Sequence, residues 1–531
     1  MKYRIKDLTA ALNDDSTLEE LIARHLSIAI DKIGSVELIR KSIDARRRNG
    51  APIMFNYIVE VELAESVRVK NLHAIKNSAF DKTSAVVTIK NAVHSVRRPI
   101  VIGFGPAGMF AALTLARAGL RPIVFERGAD VDTRIRDVET FFGGGELNRE
   151  SNVQFGEGGA GTFSDGKLTT RIDDPLTRKV IDTFISAGAP REISYLQKPH
   201  IGTDKLRAVV KNIRQMILAL GGEIFFNARL TDVEHGGNRL KAAIINGEQR
   251  LETSALFLAI GHSARDTYRM LLERGVMMEP KAFAIGVRIE HPQEFIDRAQ
   301  FGADFDNPKL PHADYFLTYK DEGRGAYTFC MCPGGSVLAA STEPGVVTNG
   351  MSCFARDSGV ANSAMLATVG LNDFDGRDAL SGVRFQREWE QRAFEFGGRN
   401  FRAPVQTVGD FLSGRCGSTQ FLTTPTYPRG VVPVDLHECL PSAVTKTLEN
   451  ALRAFDRKLK GFASADVVMT GVETRTSAPC RILRDRVTFV SLNFGGLYPI
   501  GEGSGYSGGI MSSAVDGMKA AITFLNREEK N

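Results

Sequence analysis

Tryptophan occurs once and cysteine only six times in 531 residues. So few thiols in so long a chain make no disulfide framework and point to a reducing cytoplasm. No apolar run approaches the roughly 18 residues of a membrane helix. The opening MKYRIKDLTAALNDDS is mixed and acidic, and is not expected to act as a signal peptide. Cys330 and Cys332 are a C-x-C, but Cys353, Cys416, Cys439 and Cys480 are scattered without the paired spacing of a metal site. No internal repeat is found. Net charge is missing from most of the chain. Residues 1–98 hold 17 Lys+Arg and 12 Asp+Glu, an excess of +5; the rest holds 50 of each. That basic segment, with its run at Arg46, Arg47 and Arg48, could meet RNA or an acidic partner. The excess is mild, and a solvated face of a small domain is the favoured reading.

What is present is an ordinary globular composition, 43% hydrophobic and 24% charged, with length for two to four domains. Residues 1–98 read as a small α+β domain. A strand is expected at Lys2–Ile5, helices at Thr17–Ile30 and Val36–Arg46, and an alternating strand at Met54–Glu62. The text changes after Arg97-Arg98. Pro99–Ile102 is a short apolar run of the kind a buried parallel strand makes. A glycine turn, an apolar helix over Met109–Ala118 and a second apolar run, Pro122–Phe125, complete a β-α-β unit. Thr203 or Asp204 is expected to cap a helix that Gly221-Gly222 ends. Short strands are expected at Glu223–Phe226, Leu230–Glu234 and Ala242–Asn246. A buried strand, Ala255–Ile260, ends at Gly261, and a final helix is expected over Gly508–Leu525.

Gly103-Phe104-Gly105-Pro106-Ala107-Gly108 is a G-x-G-x-x-G between a buried strand and a helix. Glu126 ends the next strand, 18 positions after Gly108. That context marks a dinucleotide site. Gly103 makes the tight turn, Gly105 admits a pyrophosphate, and Gly108 lets helix and strand approach. The helix N-terminus favours the phosphates. Glu126 is expected to accept from ribose hydroxyls and to disfavour a 2′-phosphate, so the site should not prefer NADP. There is no second complete fingerprint, which suggests one stably bound dinucleotide.

Gly103–Glu126, Leu258–Gly261 and Gly501-Glu502-Gly503 with its following helix resemble, in order, the three FAD-binding motifs of the glutathione-reductase and hydroxybenzoate-hydroxylase superfamily. Ser151–Leu168, Gly261–Asp266, Phe329–Gly335 and Glu473–Pro479 resemble more closely a bacterial family called FAD-dependent dehydrogenases, over nearly the whole chain. The resemblance implies FAD as cofactor. It implies contacts from Gly103, Gly105, Pro106, Ala107, Gly108, Glu126 and Arg127, and from Gly158, Gly159, Ala160, Gly161, Thr162, Ser164, Asp165 and Lys167 of a glycine-rich loop. It adds Gly261, Gly501 and Glu502, and places the amides of Gly508, Gly509 and Ile510 at the flavin's N1/C2 carbonyl edge. The superfamily usually has Asp where this chain has Glu502, a residue that holds the ribityl chain.

Five residues are candidates for the chemistry. His262 follows a strand that ends at Gly261, where open α/β sheets bind ligands. Arg265-Asp266, next to it, could meet substrate or pair locally. Arg288 and His291 end an alternating strand, and His291 could act as acid or base. Cys330 and Cys332 on one strand would face the same side and could relay electrons, or simply pack. Gly505-Tyr506-Ser507-Gly508-Gly509 matches a hydrolase elbow, but no histidine follows Ser507, as that order requires.

The expected fold is α/β: a Rossmann-like FAD-binding domain over 99–280 and 470–531, an inserted mixed α+β substrate domain over 281–469, and the N-terminal α+β domain over 1–98. The expected function is that of a cytoplasmic FAD-dependent oxidoreductase, a dehydrogenase or reductase. It would pass a hydride or two electrons to or from a small molecule, with transient NAD(P)H as candidate donor and no membrane partner. The alternative is an RNA-associated flavoprotein using its basic N-terminal segment.

Overall fold

The computed structural model describes residues 2–46, 51–65, 67, 97–170, 172–320, 323–374 and 376–528. Arg47 and Arg48, and most of the polar stretch before Arg97, lie outside them.

At the N-terminus, strands Lys2–Ala11, Met54–Leu63 and Ile33–Asp44 form an antiparallel sheet with Met54–Leu63 in the middle. The helix Leu18–Leu26 packs on it through Leu21 and Ile22. Thr17 caps that helix in a reciprocal box with Glu20, and Ser27 ends it in a left-handed turn at φ 54°. The helix expected at Val36–Arg46 is instead strand. Its helical spacing competed with a full edge of hydrogen bonds and with cross-strand pairs such as Val36 opposite Val61 and Leu38 opposite Val59, and pairing won.

The central sheet is parallel throughout, in the order Leu497–Pro499, Leu256–Leu258, Ile100–Ile102, Ile123–Phe125, Glu223–Phe225. Ile100–Ile102 and Leu256–Leu258 are wholly buried, as strands covered on both faces must be. On one face lie the helices Pro106–Arg117 and Ile510–Glu528. They cross so closely that a Cβ on Gly517 would stand 2.1 Å from the Ala107 carbonyl. The helix Thr203–Ala219 adds Leu206, Val209, Ile213 and Ile217 to the same core. Neither Thr203 nor Asp204 caps it. Gly202 occupies that position at φ 79°, Thr203 donates to the Thr162 carbonyl at 2.6 Å, and Asp204 accepts from the Phe354 amide at 2.7 Å.

A second, mostly antiparallel sheet has seven strands: Thr318–Lys320, Gly325–Cys332, Val360–Val369, Phe283–Pro292, Val468–Glu473, Ala403–Thr407 and Val431–Pro433. Its core joins Ile285, Val287 and Met365 to Leu448, Leu452 and Phe455 of the helix Ser442–Lys458. The chain is α/β, with the Rossmann-type parallel sheet expected from the sequence. Among the described residues, no helix is long and apolar enough to cross a membrane.

Candidate functional site

Four strands of the parallel sheet end at one cavity of about 1880 Å³. The residues at and just beyond those ends, Gly103, Glu126, Gly261 and Gly501, all line it. This is where open parallel sheets present ligand sites. Pockets for drug-sized ligands run to about 300–1,000 Å³, so there is room for a large cofactor with a second molecule beside it. The opposite wall comes from the seven-stranded sheet and its flank: Ala284, Tyr315, Tyr319, Tyr327, Phe329 and Cys330.

The fingerprint glycines are used as steric devices. Gly103 turns at φ 92°, and a Cβ there would lie 2.3 Å from the Ala259 carbonyl. On Gly108 it would lie 1.9 Å from the Gly103 carbonyl, so helix and turn touch directly. Gly105, with Pro106 and Ala107, opens the helix N-terminus to the cavity. Across from Gly105 runs the glycine-rich loop, its Gly159 Cα 3.6 Å from where a Gly105 Cβ would be.

Glu126 is 4% exposed. Its Oε2 accepts from the Phe104 amide at 2.7 Å, and its Oε1 from the Gly128 and Gly156 amides, each at 2.9 Å. It therefore ties the fingerprint turn to the glycine-rich loop and still lines the cavity. Sequence reasoning gave no role to the residue that shapes that loop from behind, Arg134. Its buried guanidinium donates to the carbonyls of Asn152, Val153, Gly156, Glu157 and Gly159 at 2.7–3.2 Å. Burial lowers it to about 9. An arginine bonded only to carbonyls has no motif spacing that could reveal it.

Of the loop residues named from sequence, Gly159, Ala160, Gly161, Ser164, Asp165 and Lys167 line the cavity. Gly158 and Thr162 lie behind it: the Gly158 amide donates to the Phe104 carbonyl at 2.8 Å, and the Thr162 hydroxyl to the Glu157 carbonyl at 3.2 Å. Gly108 is also behind the lining, as its packing role requires. Arg127 reaches the cavity edge, its guanidinium over the Phe155 ring at 4.0 Å and paired with Glu150 and Asp266.

At the other end stand Glu502, Gly508, Gly509 and Ile510, the last opening the helix Ile510–Glu528. Burial pushes the Glu502 carboxyl up to about 7, against a hydrogen bond from the Gly509 amide and the nearby Lys281 charge. Lys281, unassigned by the sequence, lines the cavity here, and its own ammonium is lowered by burial and by Arg481.

The five chemical candidates separate. His262 lines the cavity, its Nδ1 3.0 Å from the Ser263 hydroxyl. Burial, then the Arg475 and Arg265 charges, lower it to about 3. It is thus neutral across the physiological range and can accept a hydrogen bond. Cys330 also lines the cavity. Cys332 is fully buried beside it. Arg288 lies behind the wall, its donors spent on Glu473, Asn349, Asn362 and the Cys330 carbonyl. His291 lies away from the cavity, fully buried, stacked on Phe295 and bonded through Nε2 to the Phe462 carbonyl at 2.9 Å. Burial lowers it to about 4. Its strand alternates, so it faces a different core from the cavity side. Arg265 and Asp266 do not pair with each other: Arg265 binds Glu390 and Glu343, and Asp266 binds Arg127 and Arg229.

That Arg265–Glu390 pair belongs to a buried network. Glu390 accepts from Arg265 at 2.7 and 2.9 Å, from Arg475 at 2.8 and 3.0 Å, and from the Thr474 hydroxyl at 2.8 Å. It joins the helix Arg265–Glu273, the helix Ser381–Phe396 and the segment after Val468–Glu473, and holds Arg475 on the cavity wall.

Residues 282–476 match the family described as FAD-dependent protein, C-terminal domain-like, and residues 3–62 match a domain of unknown function. A protein of Clostridium beijerinckii, itself described as uncharacterized, is 49% identical over 99% of both chains. Solved structures overlap more loosely. A geranylgeranyl bacteriochlorophyll reductase-like protein from Thermoplasma acidophilum shares 13% identity over 82% of each chain, with a TM-score of 0.36. CtdE in complex with FAD shares 12% over 82% of this chain and 89% of that one, at 0.34.

Proposed function

Because the chain belongs to the bacterial family of FAD-dependent proteins, we propose that it is an oxidoreductase that exchanges two electrons between its flavin and a small molecule held against the seven-stranded sheet. FAD is its cofactor, and the residues present fit it. Gly105 and Gly159 leave a slot that side chains would fill, a helix N-terminus opens onto that slot, and Glu502 stands beside Gly508 at the far end, 4.0 Å from where a Cβ would be.

When bound, FAD supplies reversible two-electron chemistry that no side chain can. The amide end of Pro106–Arg117 would hold the pyrophosphate. Glu126 keeps lone pairs for ribose hydroxyls beyond its three amide bonds. Glu502 would hold the ribityl chain, and the start of Ile510–Glu528 would offer positive dipole to the ring system. Neutral His262 and the Arg475 cation, fixed by Glu390, are placed to orient a carbonyl or carboxylate. Tyr315, Tyr319, Tyr327 and Phe329 offer an aromatic, largely apolar wall. NAD(P)H is the candidate donor.

The observation that carries this reading is the large cavity shared by the sheet ends and the aromatic wall. Purified protein is expected to release FAD, not FMN, on denaturation. Anaerobic addition of NADH, NADPH or quinols should bleach the flavin. Gly105→Val, whose branched side chain enters the slot, should leave the protein colourless. A Gly105→Val protein with full flavin occupancy would overturn the site. A flavin that stays oxidised with every donor, and stays reduced with every acceptor after dithionite, would overturn the reaction class.

A further inference from the structure

Cys330 and Cys332 sit at the end of the strand Gly325–Cys332, where its register against Val360–Val369 slips between Phe329 and Cys332. Cys330 takes φ 44°, a left-handed conformation that non-glycine residues rarely adopt. The simple alternation of a strand is therefore broken between the two thiols. Cys330 lines the cavity, and Cys332 is fully buried with its thiol donating to the Cys330 carbonyl at 3.2 Å. Strained backbone of this kind persists where the surroundings enforce it, and it concentrates at functional sites.

Two cations, each beside a carboxylate, approach the pair. The Lys167 Nζ is buried, has no hydrogen-bond partner, and stands 3.4 Å from Asp165. Arg288, paired with Glu473, donates to the Cys330 carbonyl at 2.9 Å. Lys167 belongs to the glycine-rich loop that faces Gly105 at Gly159 and packs against Ile510 at Gly161. One loop thus runs from Gly105, where the pyrophosphate would lie, past the start of the helix Ile510–Glu528, to Lys167 near the cysteines.

We propose that Cys330 and Cys332 are a redox-active dithiol that exchanges electrons with the flavin, Cys330 being the thiol reached from the cavity and Cys332 its internal partner. Oxidation breaks two S–H bonds and forms one S–S bond. Two electrons and two protons leave, and oxidised FAD takes up both pairs; the reverse returns the dithiol. The neighbouring Cys332 side chain, with the Lys167 and Arg288 charges, holds the Cys330 thiol well below the ordinary range, while the same neighbour and burial push Cys332 up. A pair polarised in this way keeps one sulfur as the nucleophile and the other as the proton carrier.

The proposal rests on the reading of the cavity as the flavin site, and thiol chemistry can be measured separately from it. Holoprotein is held oxidised or dithionite-reduced, trapped with an alkylating agent after denaturation, and its free thiols counted. The oxidised form should show two fewer, and the peptide containing both cysteines should be lighter by two hydrogens. Anaerobic reductive titration should consume two more electrons per flavin in the wild type than in Cys332→Ser. Cys330→Ser, at the cavity-lining position, should abolish both differences. In Lys167→Met, alkylation of Cys330 at pH 6 should slow about tenfold as the thiolate fraction falls. Equal thiol counts in both redox states, or equal electron uptake in wild type and both variants, would overturn the dithiol. A flavin that cannot be reduced, beside a normal two-thiol difference, would count against the flavin as its partner.

Discussion

Glu126 offers the sharpest test of how this site is assembled, because three amides converge on one carboxylate. In Glu126→Gln one oxygen becomes an NH2. The better orientation keeps Oε1 for Gly128 and Gly156 and turns the NH2 toward the Phe104 amide, donor against donor. One buried N–H is then unsatisfied, at about 1–3 kcal/mol, and the two bonds kept change from charged to neutral acceptor, losing roughly half their strength. A total near 3 kcal/mol is expected. Glu126→Ala strands all three amides and should cost more, about 4 kcal/mol or above, unless water enters. Both the fingerprint turn and the glycine-rich loop depend on these bonds. Flavin affinity should therefore fall together with stability, at least tenfold for the Gln variant. Urea unfolding of the flavin-free protein gives the first quantity, and FAD titration followed by flavin fluorescence gives the second. An alanine variant that unfolds at the wild-type midpoint and binds FAD equally well would refute the coupling of the two loops through this carboxylate.

Two further changes test the electrostatics. Glu390→Ala leaves Arg265 and Arg475 buried without their common partner, and should cost about 3–5 kcal/mol in urea unfolding; a loss below about 1 kcal/mol would mean that water already screens the network. Glu502 has an ordinary value of 4.5 and is raised to about 7 in the fold. The folded state thus keeps a proton that the unfolded chain has lost. Flavin-free protein should lose up to about 3 kcal/mol as pH rises from 4.5 to 7 through this group. Glu502→Gln should flatten that part of the stability profile, measured by urea unfolding across the pH range, and an unchanged slope would place the carboxyl in contact with water.

The sequence by itself located the turn and helix start that are proposed to hold the nucleotide. Gly103, Gly105, Gly108 and Glu126 are close in the chain, and their roles follow from backbone sterics within one β-α-β unit, so spacing alone reveals them. The cofactor was legible through a family resemblance, which the segments at Gly261 and Gly501 carry together with the fingerprint. Only the tertiary structure decided the rest. Val36–Asp44 became strand because Met54–Leu63 offered it an edge, which helical spacing cannot report. His291 and Cys330 come from neighbouring parts of one sheet, yet one faces a closed core and the other the cavity, a distinction set by pleat and by a bulge. Arg134, Glu390 and Arg475 act through partners up to 212 residues away. A buried charge is placed by whichever carbonyls and carboxylates the fold brings to it, and no interval along the chain encodes that meeting.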